Sequence, residues 1–166
     1  MSVLVAFASR YGATRQIAQH IGAVLTVAGH DVRVRPTTAV GDLRGHEAVI
    51  LGSSVYRGHW MEQATTFAEL HQGALAERPV WLFSSGLLGD DGPASDLDRL
   101  GALLGARDRK AFDGALEVRR LDLIDRVLRL NPVRRRALPE GDFRDWAGIE
   151  DWAHQIAADL TASTLA

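Results

Sequence analysis

The sequence predicts a single α/β domain built on a doubly wound parallel sheet with helices on both faces. Short apolar runs alternate with longer segments in which apolar residues recur at helical spacing, and the order along the chain is βαββαβαβα. The chain has 166 residues, which is the size of one domain, and 46% of them are hydrophobic against 24% charged. This composition is that of a globular domain, and the order of elements predicts five parallel strands.

The elements of the first half follow from hydrophobic periodicity and from a helix-stop signal. Residues 3–8 form a continuous apolar run, which is typical of a strand buried on both faces of a parallel sheet. Apolar residues recur at helical spacing over residues 14–28, and Gly29 follows as a helix stop. Residues 31–35 alternate between polar and apolar, which predicts a strand near a sheet edge, and residues 47–52 predict a second buried strand.

The second half continues the alternation of helices and strands. Residues 60–73 carry an apolar stripe at helical spacing and predict a helix, and residues 79–84 predict a third buried strand. A helix is predicted over residues 96–104 and a last strand over residues 111–118. Residues 146–160 predict the closing helix.

Composition and charge exclude several classes of function. The chain has no cysteine, which excludes disulfides, thiolate metal sites, iron–sulfur clusters and thiol nucleophiles. Its formal net charge of −2 is too balanced for a general nucleic-acid binder. The six histidines have no metal-ligand spacing, and no G-x-S-x-G motif indicates a hydrolase. No apolar run approaches the roughly 18 residues of a spanning helix, so we expect a cytoplasmic domain without a metal.

Three loops rich in Gly and Ser follow the predicted buried strands, where ligands bind in an open parallel sheet. Loop 1 consists of Ser9, Arg10, Tyr11, Gly12, Ala13 and Thr14. Loop 2 consists of Ser53, Ser54, Val55, Tyr56, Arg57 and Gly58. Loop 3 includes Ser85, Gly86, Leu87, Leu88, Gly89, Asp90 and Asp91. The shared character of the three loops predicts one ligand site at this edge of the sheet.

Loop 1 offers the groups that bind a monophosphate. Ser9 and Thr14 supply hydroxyls on either side of Gly12, and the loop leads into the first turn of a helix, whose N–H groups favour an anion. The loop lacks G-x-G-x-x-G and G-K-[ST] motifs, so neither a dinucleotide nor a nucleoside triphosphate is indicated. The alternative is that Ser9 and Thr14 only cap the helix and Gly12 only makes the turn.

Loops 2 and 3 offer groups that bind a planar ring. Tyr56, and Trp60 just after loop 2, provide flat aromatic surfaces for stacking, unless they only pack beneath the loop. The backbone N–H groups of loop 3 can donate to ring carbonyls, and its alternative is an ordinary surface connection. Asp90 and Asp91 are interpreted as a solvated pair in a turn.

The three loops resemble those of the flavodoxin-like family, whose members bind FMN. Loop 1 is similar to the phosphate loop of that family, loop 2 to its first ring-contacting loop and loop 3 to its second. Within the family, the resemblance is strongest to the menaquinone-dependent protoporphyrinogen oxidase branch. It is carried by residues 51–60, by the run Phe112-Asp113-Gly114-Ala115-Leu116, by an arginine-bearing insertion and by the closing pair Asp145-Trp146.

The resemblance implies a flavodoxin-like five-stranded sheet of order 2-1-3-4-5, with FMN held by loops 1, 2 and 3. It also implies an oxidoreductase that passes electrons from an apolar or tetrapyrrole-like substrate to a quinone or protein acceptor. No catalytic acid or base is predicted, and Arg57 is the candidate contact for a substrate carboxylate, unless it is a surface arginine. Two other functions stay open: a soluble flavodoxin electron carrier, which the small net charge disfavours, and a flavodoxin-fold binding module without FMN.

A helical insertion rich in arginine is predicted at about residues 119–140. Between Arg119 and Arg136, seven arginines face two aspartates, a local charge of +5 in a chain whose net charge is −2. Leucines between these arginines make the predicted helix amphipathic, which suits the surface of an anionic membrane where a quinone is found. The alternative is that the leucines pack on the domain or in a homodimer, with the arginines solvated.

Overall fold

The computed structural model of the protein describes residues 1–56, 58–86, 96–116, 121, 127, 130 and 140–165. Its parallel strands are β1 (Ser2–Ala8), β2 (Asp31–Pro36), β3 (Ala48–Tyr56), β5 (Val80–Gly86) and β6 (Asp108–Asp113). The short strand β4 (His59–Trp60) pairs antiparallel with the end of β3. The spatial order is β2-β1-β3-β5-β6. Counting the parallel strands alone, this order is 2-1-3-4-5, and the predicted fold class is confirmed.

Helices cover both faces of the sheet. They are α1 (Ala13–Val27), α2 (Glu62–Leu70), α3 (Gln72–Ala76), α4 (Asp96–Leu104) and α5 (Trp146–Leu165). Helices α1 and α5 pack on one face, whereas α2, α3 and α4 pack on the other. Along β1, Val3 and Val5 belong to the first core. Leu4 and Ala6 belong to the second core, and this burial on both faces is the reason that the whole run is apolar.

The longest of these helices is α5, with 20 residues. No helix in the described part of the chain is both long and apolar enough to cross a membrane.

The last strand of the sheet begins three residues earlier and ends five residues earlier than predicted. Strand β6 starts at Asp108 and ends at Asp113, whereas periodicity predicted residues 111–118. Because β6 is an edge strand, it accommodates charged residues, and an apolar pattern does not reveal its start. After Gly114, β7 (Ala115–Leu116) leaves the sheet and pairs antiparallel with β8 (Gly141–Asp142).

The arginine-rich segment connects β7 to β8. The predicted helix over residues 119–140 lies outside the described residues, except for Leu121, Val127, Leu130 and Glu140. Leu121 is buried, whereas Val127 and Leu130 are exposed.

The segment predicted as loop 2 and the following helix also differ from the prediction. Strand β3 runs on to Tyr56, so the first four residues of loop 2 belong to the strand. The helix predicted over residues 60–73 begins at Glu62 and is divided at His71 into α2 and α3. Trp60 lies in β4 instead of in the helix. Strand β3 extends because Ser53 and Ser54 pair with the polar end of β5, and its last two residues pair with β4.

An aromatic cluster packs α5 against β5 and β6. Phe83 of β5 lies 6.2 Å from both Phe112 and Trp152, measured between ring centroids. The indole Nε1 of Trp152 donates a hydrogen bond to Asp108 Oδ2 at 2.7 Å, which ties α5 to β6. Phe83 covers Gly52 of β3 so closely that a Cβ atom at Gly52 would lie 2.0 Å from Phe83 Cζ. Only glycine fits at this position.

Candidate functional site

Loop 1 forms a tight turn between β1 and α1. Gly12 has a φ of 96°, in the left-handed region that favours glycine, and it is the N-cap residue of α1. The hydroxyl oxygen of Ser9 accepts a hydrogen bond from the Gly12 N–H at 3.0 Å. The Gly12 carbonyl accepts the first bond of the helix from the Gln16 N–H at 3.1 Å. Ser9 therefore shapes the loop, and no side-chain hydrogen bond caps the helix.

Thr14 carries an orphaned hydroxyl at the start of α1. Its side chain is fully buried, and Oγ1 has no hydrogen-bond partner among the described residues. Capping therefore does not explain Thr14, because its hydroxyl caps nothing. The N–H groups of the first turn lack acceptors within the helix, and the turn contains no acidic residue. Unused N–H groups, the positive end of the helix dipole and a buried hydroxyl together fit a phosphate group.

Arg10 joins loop 1 to the end of β3. Its backbone N–H donates to Ser54 Oγ at 3.2 Å. Its guanidinium carbon lies 4.0 Å from the centroid of the Tyr56 ring, which is a cation–π contact. Its Nε donates to the Tyr11 hydroxyl at 2.7 Å. The structure thus brings together the predicted phosphate loop and the predicted ring-binding aromatic residue.

Four serines line up where β3 and β5 end. Ser53 pairs with Ser84, and Ser54 pairs with Ser85, in the parallel register of the two strands. Ser53, Ser84 and Ser85 are buried. The Ser53 hydroxyl donates to the Ser54 carbonyl at 3.0 Å and accepts from the Met61 N–H at 2.9 Å. The Ser53 hydroxyl is therefore engaged in holding the connection to α2.

A hairpin closes loop 2. Tyr56 of β3 pairs antiparallel with His59 of β4, and Gly58, just before β4, has a φ of 80°. Trp60 is buried in the core that α2 and α4 share, so it packs beneath the loop as the alternative interpretation proposed. Tyr56 is half-buried and remains the candidate stacking surface. Arg57 lies outside the described residues.

The hairpin is anchored to α4 by Asp96. The Trp60 N–H donates to Asp96 Oδ2 at 3.0 Å, and His59 Nδ1 lies 3.5 Å from the same oxygen. Arg99 Nε donates to the other carboxylate oxygen, Oδ1, at 3.3 Å. Neither the aspartate nor the arginine stood in a recognisable motif, so sequence reasoning missed this anchor.

Only the beginning of loop 3 is described. Ser85 and Gly86 end β5, and the Gly86 carbonyl accepts a hydrogen bond from the Gly114 N–H at 2.6 Å. The other predicted residues of loop 3 lie outside the described residues; they are Leu87, Leu88, Gly89, Asp90 and Asp91. In the described part of the chain, no group of three or more His, Asp or Glu residues is placed to hold a metal ion.

A cavity of about 670 Å³ opens beside loop 1 on the side of β2. Residues 9–12 line it together with Phe7, Arg15 and Pro36, which sequence reasoning did not include. Phe7 and Pro36 are register partners in β1 and β2, so the parallel pairing of these strands could have indicated them. Arg15 lies in the first turn of α1 and carries no motif.

Both the sequence and the fold are similar to those of known proteins. The model of the flavodoxin domain family matches residues 4–129. No curated protein matches the chain. A cysteine-to-serine point mutant of a flavodoxin from Pseudomonas aeruginosa is 19% identical, with a TM-score of 0.63 over 97% of this chain and 99% of that one. The two-electron reduced flavodoxin of Megasphaera elsdenii is 21% identical, with a TM-score of 0.58 over 67% of this chain and 85% of that one.

A larger protein contains a similar fold. Rubredoxin oxygen:oxidoreductase from Desulfovibrio gigas is 15% identical, with a TM-score of 0.70, and its match covers 99% of this chain but 37% of that protein. These likenesses show the fold, and the family model covers most of the sequence. The chain belongs to the flavodoxin domain family.

Proposed function

We propose that the protein binds FMN at loops 1 and 2 and acts as a flavin-dependent oxidoreductase. The flavodoxin family model and the flavodoxin neighbours support a flavin-binding electron-transfer protein. The observation that carries the proposal is the orphaned, buried hydroxyl of Thr14 at the start of α1. When bound, FMN supplies the electron-transfer chemistry, and the protein positions and tunes it.

Loop 1 holds the phosphate in this proposal. The first-turn N–H groups of α1 and the Thr14 hydroxyl donate to the phosphate oxygens, and the Ser9 hydroxyl hydrogen is also available to an acceptor. Hydrogen bonds to a charged group are stronger than bonds between neutral groups, so this loop supplies most of the selectivity for a phosphorylated flavin.

Loop 2 holds the ring. Tyr56 offers an aromatic face at the end of β3, and the turn containing Gly58 brings backbone beside it. A peptide next to glycine can rotate without Cβ strain, so Gly58 allows the N–H and carbonyl groups of the turn to adapt to the ring edge.

The oxidoreductase is proposed to be of protoporphyrinogen oxidase type, passing electrons from an apolar or tetrapyrrole-like substrate to a quinone. The similarity of residues 51–60 and of the arginine-rich segment to that branch supports this assignment. The small net charge supports it over a carrier, since carriers rely on electrostatic steering toward their redox partners. A carrier would be reoxidised by a partner protein and would show no quinone reductase activity.

We also propose that the arginine-rich segment meets an anionic membrane that contains the quinone. The segment leaves and rejoins the domain at β7 and β8, beside the carboxyl end of β6 and therefore at the same edge as the candidate site. Val127 and Leu130 are 63% and 82% exposed, so apolar side chains of this segment reach the surface. Exposed apolar residues in an arginine-rich sequence are typical of interfacial binding, although Leu121 is buried.

Titration of the cofactor-free protein with FMN and with riboflavin tests the proposed site. Riboflavin carries the same ring without the phosphate, so we expect FMN to bind at least about tenfold more tightly, which is 1.4 kcal/mol. Equal affinities would contradict the phosphate assignment in loop 1. Failure of both to bind would contradict the flavin function and favour the binding module without FMN.

A further inference from the structure

We propose that Arg10 sets the reduction potential of the bound flavin by holding a positive charge beside its ring. This inference rests on the proposed FMN site and concerns the same site. It assigns a role to a loop 1 residue whose side chain points toward the ring-binding loop, although its place in the sequence is in the phosphate loop.

The position of the charge follows from contacts that Arg10 makes with neighbouring residues. The backbone is tied to Ser54 by the N–H bond of 3.2 Å, and the guanidinium lies 4.0 Å from the centroid of the Tyr56 ring. The bond of 2.7 Å from Nε to the Tyr11 hydroxyl holds the side chain from the other side. The charge is therefore fixed on the aromatic residue against which the flavin is proposed to pack.

Reduction changes the charge of the flavin, so its electrostatic interaction with Arg10 depends on the redox state. Two electrons and one proton convert the neutral oxidised ring into a reduced ring with one negative charge. A cation beside the ring binds the reduced form more tightly than the oxidised form, because opposite charges attract more strongly away from bulk water. The potential of the couple is raised as a result, since the more tightly bound form is favoured.

A higher reduction potential determines which electron-transfer partners the flavin suits. It makes the bound flavin a better acceptor of electrons from an organic substrate and a weaker donor to low-potential partners. Arg10 would thus favour the oxidase role over the role of a low-potential carrier.

Arg15 provides a matched control. It is an exposed arginine five residues further along, in the first turn of α1, and it lines the same cavity beside loop 1. It lines this cavity together with Pro36 of β2, whereas Tyr56 lies on β3, on the other side of β1. Removing the Arg15 charge tests the general effect of one positive charge near the phosphate.

The experiment compares R10Q, R10K, R15Q and the natural protein, each loaded with FMN. The two-electron midpoint potential is measured by dithionite titration, and the affinities of the oxidised state for FMN and riboflavin are measured by fluorescence. We expect R10Q to lower the ratio of the affinity for reduced FMN to the affinity for oxidised FMN about tenfold. This corresponds to a midpoint potential lower by about 30 mV for a two-electron couple. R10K keeps the positive charge, so its midpoint potential should stay close to that of the natural protein. R15Q should shift the potential by less than half as much as R10Q.

Each other outcome has a defined meaning. Equal shifts in R10Q and R15Q would overturn the inference, because the effect would then be general. Weaker binding of oxidised FMN by R10Q, with riboflavin binding and the potential unchanged, would also overturn it and make Arg10 a phosphate contact. If the natural protein binds no FMN, the proposed function fails instead.

A second variant keeps the inference testable if R10Q binds too little FMN. Y11F removes the hydroxyl that accepts the Arg10 Nε bond but keeps the charge of Arg10. We expect a smaller decrease in potential, in the same direction as in R10Q. A potential equal to that of the natural protein would contradict the idea that the anchored position of the charge matters.

Discussion

Replacing Thr14 by valine should have opposite effects on the stability of the cofactor-free protein and on its affinity for FMN. The hydroxyl is fully buried and has no partner among the described residues. A buried, unsatisfied hydroxyl costs about 1–3 kcal/mol of stability, and valine has the same shape without it. Threonine and valine have similar helix propensities, so α1 itself should not change.

The expected size of both effects can be stated. T14V should increase the free energy of unfolding of the cofactor-free protein by about 1 kcal/mol, which raises the Tm by about 2–4 °C for a domain of this size. Loss of a hydrogen bond to the phosphate should weaken FMN binding by about 1–3 kcal/mol, or roughly 5- to 150-fold. Riboflavin binding should not change, because it has no phosphate.

Urea unfolding of the cofactor-free protein and fluorescence titration with both flavins measure these effects. T26V is the matched control, because Thr26 lies in the same helix but donates its hydroxyl hydrogen to the Gly22 carbonyl at 2.8 Å. We expect T26V to be no more stable than the natural protein and to bind FMN normally. A T14V protein that is less stable and binds FMN normally would refute the reasoning, because its hydroxyl would then have a structural role.

Three further predictions concern stability, pH and membrane binding. G52A should destabilise the protein by about 3 kcal/mol in urea unfolding, because the new Cβ would overlap the ring of Phe83. The control G73A, which has open space around it, should not be destabilised. Equal stabilities of the two variants would contradict the packing argument. Burial, together with two nearby arginines, lowers the pKa of His46 below the ordinary 6.5. As the pH decreases, this histidine is therefore protonated in the unfolded chain before it is protonated in the folded protein. The free energy of unfolding should fall as the pH decreases below about 6.5, and it should fall by less in H46Q. Identical pH profiles of stability for H46Q and the natural protein would exclude this contribution. Finally, the protein should pellet with anionic vesicles at low salt and be released at high salt, and absence from the pellet would exclude the membrane role.

Sequence patterns predicted the core of the sheet because burial on both faces leaves a strong signal. The continuous apolar run of β1 was predicted, and both cores confirm its burial. Its place beside β3 was implied by the family resemblance, and the strand order confirms it. The start of β6 could not be predicted in this way, since an edge strand with Asp108, Arg109 and Lys110 has a polar pattern. Its pairing with β5 depends on backbone hydrogen bonds, which no side-chain pattern records.

The candidate site was predicted as three separate loops, and their connections came only from the structure. Gly12 and Gly58 were expected to make turns, and both have positive φ. The contact of Arg10 with Tyr56 joins residues 46 positions apart, and no local pattern reports such a contact. The engagement of the Ser53 hydroxyl with Met61 likewise depends on how β3 meets α2.

The ribbon formed by β7 and β8 makes the arginine-rich segment a modular part of the domain. Because Leu116 pairs directly with Gly141, the chain rejoins the domain beside the point where it leaves. Lengthening the segment adds little to the entropic cost of closing it as a loop, about 0.6 kcal/mol for each doubling of its length. The segment can therefore change in length and sequence during evolution with little effect on the sheet, so that the acceptor recognition proposed for it can diverge while the candidate cofactor loops stay the same.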